Sequence, residues 1–171
     1  VGSRLGELTD YTNKGLIRLG DKPSISHIIE SYPEETDFVI TLGHYGGHVR
    51  QYLNMAYPKK TFTFVDVENY KGPGSSLVYS ILQAEEQLQC PFIFHACDTI
   101  TFSSIPAPTT NWCASGQAPQ EFTSQYRSLN VSNNFVSKIN DKGCSSYDFV
   151  YIGICGINDY EKFWQEIKED S

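Results

Sequence analysis

Short apolar blocks recur along the chain, each bounded by turn formers: DFVITL at 37–42, TFTFVDV at 61–67, FIFHAC at 92–97 and FVYIGIC at 149–155. Blocks rich in Val, Ile and Phe with little alternation predict strands buried on both faces. The segments between them follow helical spacing. Pro23–Ser31 starts with a proline at a helix-start position and places Ile25, Ile28 and Ile29 on one side. Val49, Leu53, Met55 and Ala56 repeat that spacing after the glycines at 46 and 47. Ser75–Leu88 predicts a helix with an apolar face of Leu77, Tyr79, Ile81, Leu82, Ala84 and Leu88 and a polar side at Glu85–Gln87, and Asp159 stands where it would cap a last helix carrying Phe163, Trp164 and Ile167. Strands alternating with helices predict an α/β fold, a mainly parallel sheet with helices on both faces. Thr99–Ser128, rich in Pro, Thr, Ser and Gln, breaks the pattern and predicts a long irregular excursion beside a strand end, where binding sites are often shaped. No repeat or composition shift divides the chain, so we expect a single domain over residues 1–171.

Composition narrows the function classes. A chain of 171 residues, 40% hydrophobic and 13% aromatic, can bury a core, and its net charge of −7 argues against a general nucleic-acid binder, which would need many cationic contacts to phosphate. No apolar run approaches the roughly 20 residues of a membrane-spanning helix. Cys90, Cys97, Cys113, Cys144 and Cys155 are odd in number and lack C-x-x-C spacing; two lie in apolar runs, so reduced, buried thiols and a cytoplasmic setting are expected. The Asn130–Ser132 triplet has a glycosylation pattern that we ascribe to chance.

Against this acidic background the opening stretch, VGSRLGELTDYTNKGLIRLGDKP, gathers Arg4, Lys14, Arg18 and Lys22 among glycines. Gly2, Ser3 and Arg4 have the makings of a phosphate cradle, in which glycine permits close backbone approach while amides and a guanidinium supply counter-charge; the same run also reads as an ordinary turn. Asp98 follows the block 92–97 at its carboxyl end, where open α/β sheets place ligands, and a turn or helix-cap role is the alternative. Gly72, Gly74, Ser75 and Ser76 form a loop whose backbone and hydroxyls suit a nucleobase, or a plain turn and N-cap. His44 and His48 stand four apart, yet the glycines between them disfavour a helix through both, and no zinc reading is made. His95, three residues before Asp98, is expected to be a packed core histidine.

The spacing of Arg4, Leu5, Leu8, Thr9, Lys14, Leu16, Lys22 and Pro23 resembles that of nucleotidyltransferases of the sugar-phosphate and phosphocholine type, whose pattern runs G-x-G-[ST]-R-L-x-P-L-T and then P-K-x-L-x-x-x-x-x-K-P. The likeness extends well over residues 1 to about 100 and more loosely over 134–169. It implies a three-layer α/β/α Rossmann-like fold with a mainly parallel mixed sheet. It further implies that Gly2, Ser3 and Arg4 surround a nucleoside triphosphate, that Lys14 acts with Arg4 in catalysis, and that Gly72, Gly74, Ser75 and Ser76 meet the base. Asp98 would hold Mg²⁺, with Asp159 as second ligand, although Asn158 is as well placed and Asp159 also serves as a helix cap. Arg18 and Lys22 are read as solvated cations. Two departures stand out: the family's first strand and first glycine, which would precede Gly2, are not in this sequence, and Asn13-Lys14-Gly15 replaces Pro-Lys-Pro or Pro-Lys-Ala. We therefore expect a domain shortened at its N-terminus, the C-terminus being left open.

The resemblance implies transfer of a nucleotidyl group from a nucleoside triphosphate to a small phosphorylated acceptor, such as a sugar 1-phosphate or phosphocholine, with release of pyrophosphate. A slight preference for CTP follows from the compact chain, which is nearer the phosphocholine branch. Trp112, Phe122 and Tyr126 are expected to face the acceptor. The alternative is a non-catalytic nucleotide-binding or regulatory domain of the same fold. A glycosyltransferase is disfavoured because the Arg4-to-Lys14 spacing suits a triphosphate donor.

Overall fold

The computed structural model describes residues 3–169, without the side chains of Ser3, Arg4 and Gln120. From the N-terminus it runs through two 3₁₀ segments, Ser3–Thr9 and Lys14–Leu16, the short strands β1 (Arg18–Leu19) and β2 (Lys22–Pro23), helix α1 (Ser24–Ile29), strand β3 (Phe38–Leu42), helix α2 (Gly46–Ala56) and strand β4 (Phe62–Asp66). There follow α3 (Leu77–Leu82), β5 (Phe92–His95), β6 (Trp112–Gly116), β7 (Ser128–Ser132), β8 (Phe135–Asn140), β9 (Phe149–Ile157) and α4 (Tyr160–Glu169). The four apolar blocks are thus strands β3, β4, β5 and β9. The helix expected over Ser75–Leu88 is shorter: Ser76 caps α3 by accepting from the Tyr79 amide at 2.9 Å, and a 3₁₀ turn at Glu85–Gln87 replaces its last part.

Strands β3 and β4 are parallel, paired from Phe38↔Phe62 to Leu42↔Asp66, with helix α2 as the crossover between them. Every second residue of β3 shares a face, so Phe38, Ile40 and Leu42 join Phe62 and Phe64 over Ile25 and Ile29 of α1 and Val49 and Leu53 of α2. Ile29 and Leu53 are almost wholly excluded from water, each contributing about 1.5–3 kcal/mol of transfer free energy.

The larger sheet departs from the mainly parallel expectation. Among the described residues only β3 and β4 pair in parallel, whereas β5, β6 and β7 all run antiparallel to β9, and β8 antiparallel to β7. The connections explain this. Parallel pairs need a crossover of a dozen or more residues, usually helical, but β7 and β8 are joined by a tight turn in which Asn133 and Asn134 take positive φ (51° and 64°), the geometry of a hairpin. The supposedly irregular excursion supplies β6 and a 3₁₀ segment, Gln120–Gln125. Gly156 pairs with both Ile93 and Trp112, and Val150 with both Gly116 and Ser128, so β6 lies on one edge of β9 while β5 and β7 lie end to end along the other.

A fork opens where β5 gives way to β7. There Gly153, with φ 87°, accepts from the Ala96 amide at 2.8 Å, and the Tyr151 amide donates to Arg127 O at 2.9 Å. Helix α4 closes this half of the molecule: Trp164 stacks on Phe92 (5.6 Å, 17°), and its indole donates to Leu88 O at 3.0 Å. Tyr32 spans from one sheet to the other, its ring edge-on to Phe38 and its hydroxyl bonded to His95 Nδ1 at 2.8 Å.

None of the five cysteines is fully buried, contrary to expectation: Cys90 and Cys97 are exposed and the others half-buried. Among the described residues no helix is long and apolar enough to cross a membrane.

Candidate functional site

Lys14 is set by its own turn. Asn13 caps the 3₁₀ segment, accepting from the Gly15 amide at 2.8 Å, and the Ser24 hydroxyl donates to Gly15 O at 3.0 Å. The side chain then reaches across the fold: Lys14 Nζ lies 2.8 Å from Asp98 Oδ2, with the lysine 31% and the carboxylate 62% exposed. Two residues 84 apart in sequence are therefore joined at the carboxyl end of β5.

Several forces act on this lysine. Burial alone would lower its pKa, but the charges and hydrogen bonds of Cys97 and Asp98 outweigh that effect and leave it above its ordinary value. Cys97 contributes negative charge only after its thiol ionises. That thiol, although the residue presents surface to solvent, is desolvated beside Lys14, and burial pushes its pKa up. Near neutrality the working counter-charge is consequently Asp98. Spacing alone gave no hint of Cys97, since it lies beyond the last paired residue of β5.

Asp98 is held from behind. The Thr99 amide closes a turn onto Ala96 O at 3.1 Å, and the Thr99 hydroxyl donates to Ile152 O at 2.5 Å. His95 Nε2 donates to Thr99 O at 3.0 Å and Nδ1 lies 2.8 Å from the Tyr32 hydroxyl, so the ring when neutral is the Nε2–H tautomer, with Nδ1 accepting from Tyr32. Burial lowers its pKa, only partly opposed by the bond to Thr99. The histidine expected in the core is half-buried, and it braces the turn that carries the candidate metal ligand.

The other predicted residues are dispersed. Gly2 lies outside the described residues, as do the side chains of Ser3 and Arg4; the backbone of Ser3 and Arg4 opens the first 3₁₀ segment. Gly72 and Gly74 both have positive φ (83° and 82°). Ser75 donates its hydroxyl to Gly72 O at 2.7 Å, and Ser76 caps α3, so both hydroxyls serve the loop itself.

Asp159 is not brought to Asp98. Phe92 pairs with Ile157 and His95 with Ile154, which puts Asp98 and Asp159 at opposite ends of the ladder, on the order of 20 Å apart at about 3.3 Å per residue. The Asp159 carboxylate instead accepts from Asn111 Nδ2 at 3.0 Å and Asn158 Nδ2 at 2.8 Å, and its backbone carbonyl accepts from the Phe163 amide. It starts α4 through the backbone and is no partner of Asp98 in a shared metal site.

Trp112 also lies at the far end: it pairs with Gly156, where an added Cβ would come within 2.2 Å of the indole. Tyr126, by contrast, immediately precedes the fork residue Arg127.

Two surface grooves, of about 480 and 430 Å³, are lined by residues such as Glu85 and Trp164 and by Tyr32 and Tyr57; neither includes Lys14 or Asp98.

The whole architecture is that of a known class of fold. A protein from Bacillus anthracis assigned as a glucose-1-phosphate thymidylyltransferase, crystallised with sucrose, superposes with a TM-score of 0.82 at 20% identity over 98% of this chain and 71% of its own. The CTP:phosphocholine cytidylyltransferase of Streptococcus pneumoniae gives 0.71 at 21% identity over 98% and 72%, and the inositol-1-phosphate CTP transferase of T. maritima 0.69 at 15% over 92% and 66%. This chain thus has the mixed α/β fold that these nucleotidyltransferases share. No protein-family model matches it, and no curated protein does either.

Proposed function

We propose that the chain is a nucleotidyltransferase domain that moves a nucleoside monophosphate from a nucleoside triphosphate to a small phosphorylated acceptor and releases pyrophosphate. The observation that carries this reading is the Lys14–Asp98 pair at the carboxyl end of β5, in the fold of three nucleotidyltransferases. CTP is the favoured donor and a sugar 1-phosphate or phosphocholine the favoured acceptor. We read the fold as the three-layer α/β/α Rossmann-like one, with α1 and α2 on one sheet and α3 and α4 on the other.

In such a reaction an acceptor phosphate oxygen attacks the α-phosphorus in line, the bond to the β-phosphate oxygen breaks, and pyrophosphate leaves with its electron pair. The protein must align two anions and offset their repulsion, and little covalent chemistry falls to its side chains. Lys14 is charged at neutral pH and its backbone is held by its turn, so its ammonium stands at the site to neutralise the reacting phosphate on parting from Asp98. Gly2, Ser3 and Arg4 are assigned to the triphosphate, and Gly72, Gly74, Ser75 and Ser76 to the base.

Asp98 suits Mg²⁺. A hard cation that keeps most of its water needs one or two carboxylates besides the substrate phosphates, and Asp98 is an exposed carboxylate at the proposed triphosphate site. Among the described residues no group of three His, Cys, Asp or Glu gathers to form an all-protein cage, the donor set of a softer or more tightly caged metal. Bound there, Mg²⁺ would supply charge neutralisation on the phosphates.

The direct test is pyrophosphate release by the purified chain with Mg²⁺, each of the four common nucleoside triphosphates, and a panel of sugar 1-phosphates plus phosphocholine. Release that depends on one triphosphate and one acceptor supports the proposal. Nucleotide binding without release supports instead the non-catalytic domain.

A further inference from the structure

The turn between β3 and α2 touches the Lys14 loop on one side and the residues leading into the Gly72–Ser76 loop on the other. His44 Nε2 donates to Thr9 O at 2.9 Å, His44 O accepts from Asn13 Nδ2 at 2.6 Å, and the Tyr45 hydroxyl donates to Asp10 O at 2.8 Å. The loop before Lys14 is therefore anchored at residues 9, 10 and 13. On the opposite side Tyr70 packs directly against Gly43, so closely that a Cβ there would stand 2.7 Å from the Tyr70 Cβ, and the His44 and Tyr70 rings lie 6.3 Å apart.

The turn itself is held in a costly shape. Tyr45 sits in the left-handed region (φ 49°, ψ 37°), an unfavourable place for a bulky side chain, and it is kept there by the bond to Asp10 and by stacking on His48 at 5.1 Å. A residue in that conformation with a hydroxyl reaching another loop is over-determined by its partners. Their loss would release it.

We propose that Gly43–Tyr45 is a strap that positions the Lys14 loop and the Gly72–Ser76 loop relative to one another, with His44 as its central positioning residue. On the nucleotidyl-transfer reading, on which this inference rests for its purpose, one loop neutralises the phosphates and the other meets the base, so the strap sets the span between the two ends of the nucleotide. His44 acts through Thr9 and Tyr70, which its ring reaches in the structure.

The test is hydrogen exchange on the ligand-free chain, compared among the parent, His44→Ala, His44→Gln and Tyr45→Phe. Reporter amides are Gly15, Leu16 and Ile17 on one loop and Ser75 and Tyr79 at the other, all hydrogen-bonded in the structure. Loss of one strap bond in His44→Ala is expected to speed exchange about fivefold in both groups, with the β9 amides unchanged. His44→Gln, which keeps a donor, returns both groups toward the parent, and Tyr45→Phe repeats the His44→Ala pattern. Faster exchange confined to one group, or equal loosening of β9, overturns the proposal. Titration of the parent and of His44→Ala with each of the four common nucleoside triphosphates and Mg²⁺ is read separately. An approximately tenfold weaker affinity in the variant fits the strap. A parent that binds none of the four nucleotides refutes the nucleotidyl-transfer reading and leaves the exchange result to decide the coupling.

Discussion

Gly153 is where one added methyl group should be felt in the site. Its φ of 87° is open to glycine, and alanine there incurs about 1–2 kcal/mol from the Cβ clash with its own carbonyl. The new Cβ would also stand 2.9 Å from the Ala96 Cβ and 3.3 Å from Thr99 Oγ1. A Cβ fixed to the backbone just past β5 cannot swing aside as a long side chain does, so that segment must shift, an overpacking cost of about 1–3 kcal/mol. The total for Gly153→Ala is about 2–5 kcal/mol, or a melting temperature lower by roughly 5–20 °C for a domain of this length. Gly143→Ala serves as the control: φ is nearly the same, 84°, but nothing lies within 4 Å of the added Cβ, so only the conformational part is expected. Ala96 and Thr99 bracket Asp98, so pyrophosphate release measured well below both melting points should fall in Gly153→Ala and hold in Gly143→Ala. Thermal unfolding followed by circular dichroism reads the stability part. If Gly153→Ala melts within about 2 °C of Gly143→Ala, the fork does not pack as described and the reasoning fails.

Other consequences follow from residues outside the fork. His95 has a lowered pKa when folded, so the unfolded chain binds more protons below about pH 6.5, and stability contributed by the neutral ring is full above that pH and lost as pH falls. Urea unfolding from pH 7.5 down to 5 should show a decline in this window that is shallower in His95→Phe; equal slopes would contradict the buried, neutral ring. Asn111→Ala removes acceptance from the Asn158 and Asp159 amides and the bond to the Asp159 carboxylate, at the far end of the ladder from Asp98. It should cost about 1 kcal/mol and leave turnover unchanged, so a large loss of turnover would mean that Asp159 serves the reaction after all. Trp164→Ala empties the packing between α4 and β5 and should destabilise by about 3–5 kcal/mol in denaturant unfolding, whereas a loss below 1 kcal/mol would show that α4 is not part of the core.

The helices and the four apolar blocks were legible because burial imposes a pattern on the chain: Ile25, Ile28 and Ile29, or Val49 and Leu53, leave little choice of face. Strand direction was not legible. An apolar block reads the same in a parallel and an antiparallel ladder, and the pairing of β9 with β5, β6 and β7 is settled by how the chain returns after residue 99. The excursion hid β6 because Trp112–Gly116 carries Cys, Ala, Ser and Gly, residues with small side chains and little strand character. Lys14 was picked out by the family resemblance and Asp98 by its place at a strand end together with that resemblance, and the fold joins them. Asp159 was misplaced because counting residues past a strand ignores its direction: running antiparallel, β9 carries its carboxyl end away from that of β5. The roles of Cys97, His95 and the Gly43–Tyr45 turn arise from contacts across the fold, to which local pattern is blind.

That Lys14 and Asp98 work as one site is tested most directly by a double-mutant cycle on pyrophosphate release, with Lys14→Ala, Asp98→Ala and the pair, each checked for folding by circular dichroism. Each single substitution should lower kcat/KM by about 10²–10³, and the double variant should lie within about tenfold of the weaker single one, since groups that act together cannot be lost twice. Losses that multiply across the pair, or single variants that turn over like the parent, would contradict the account.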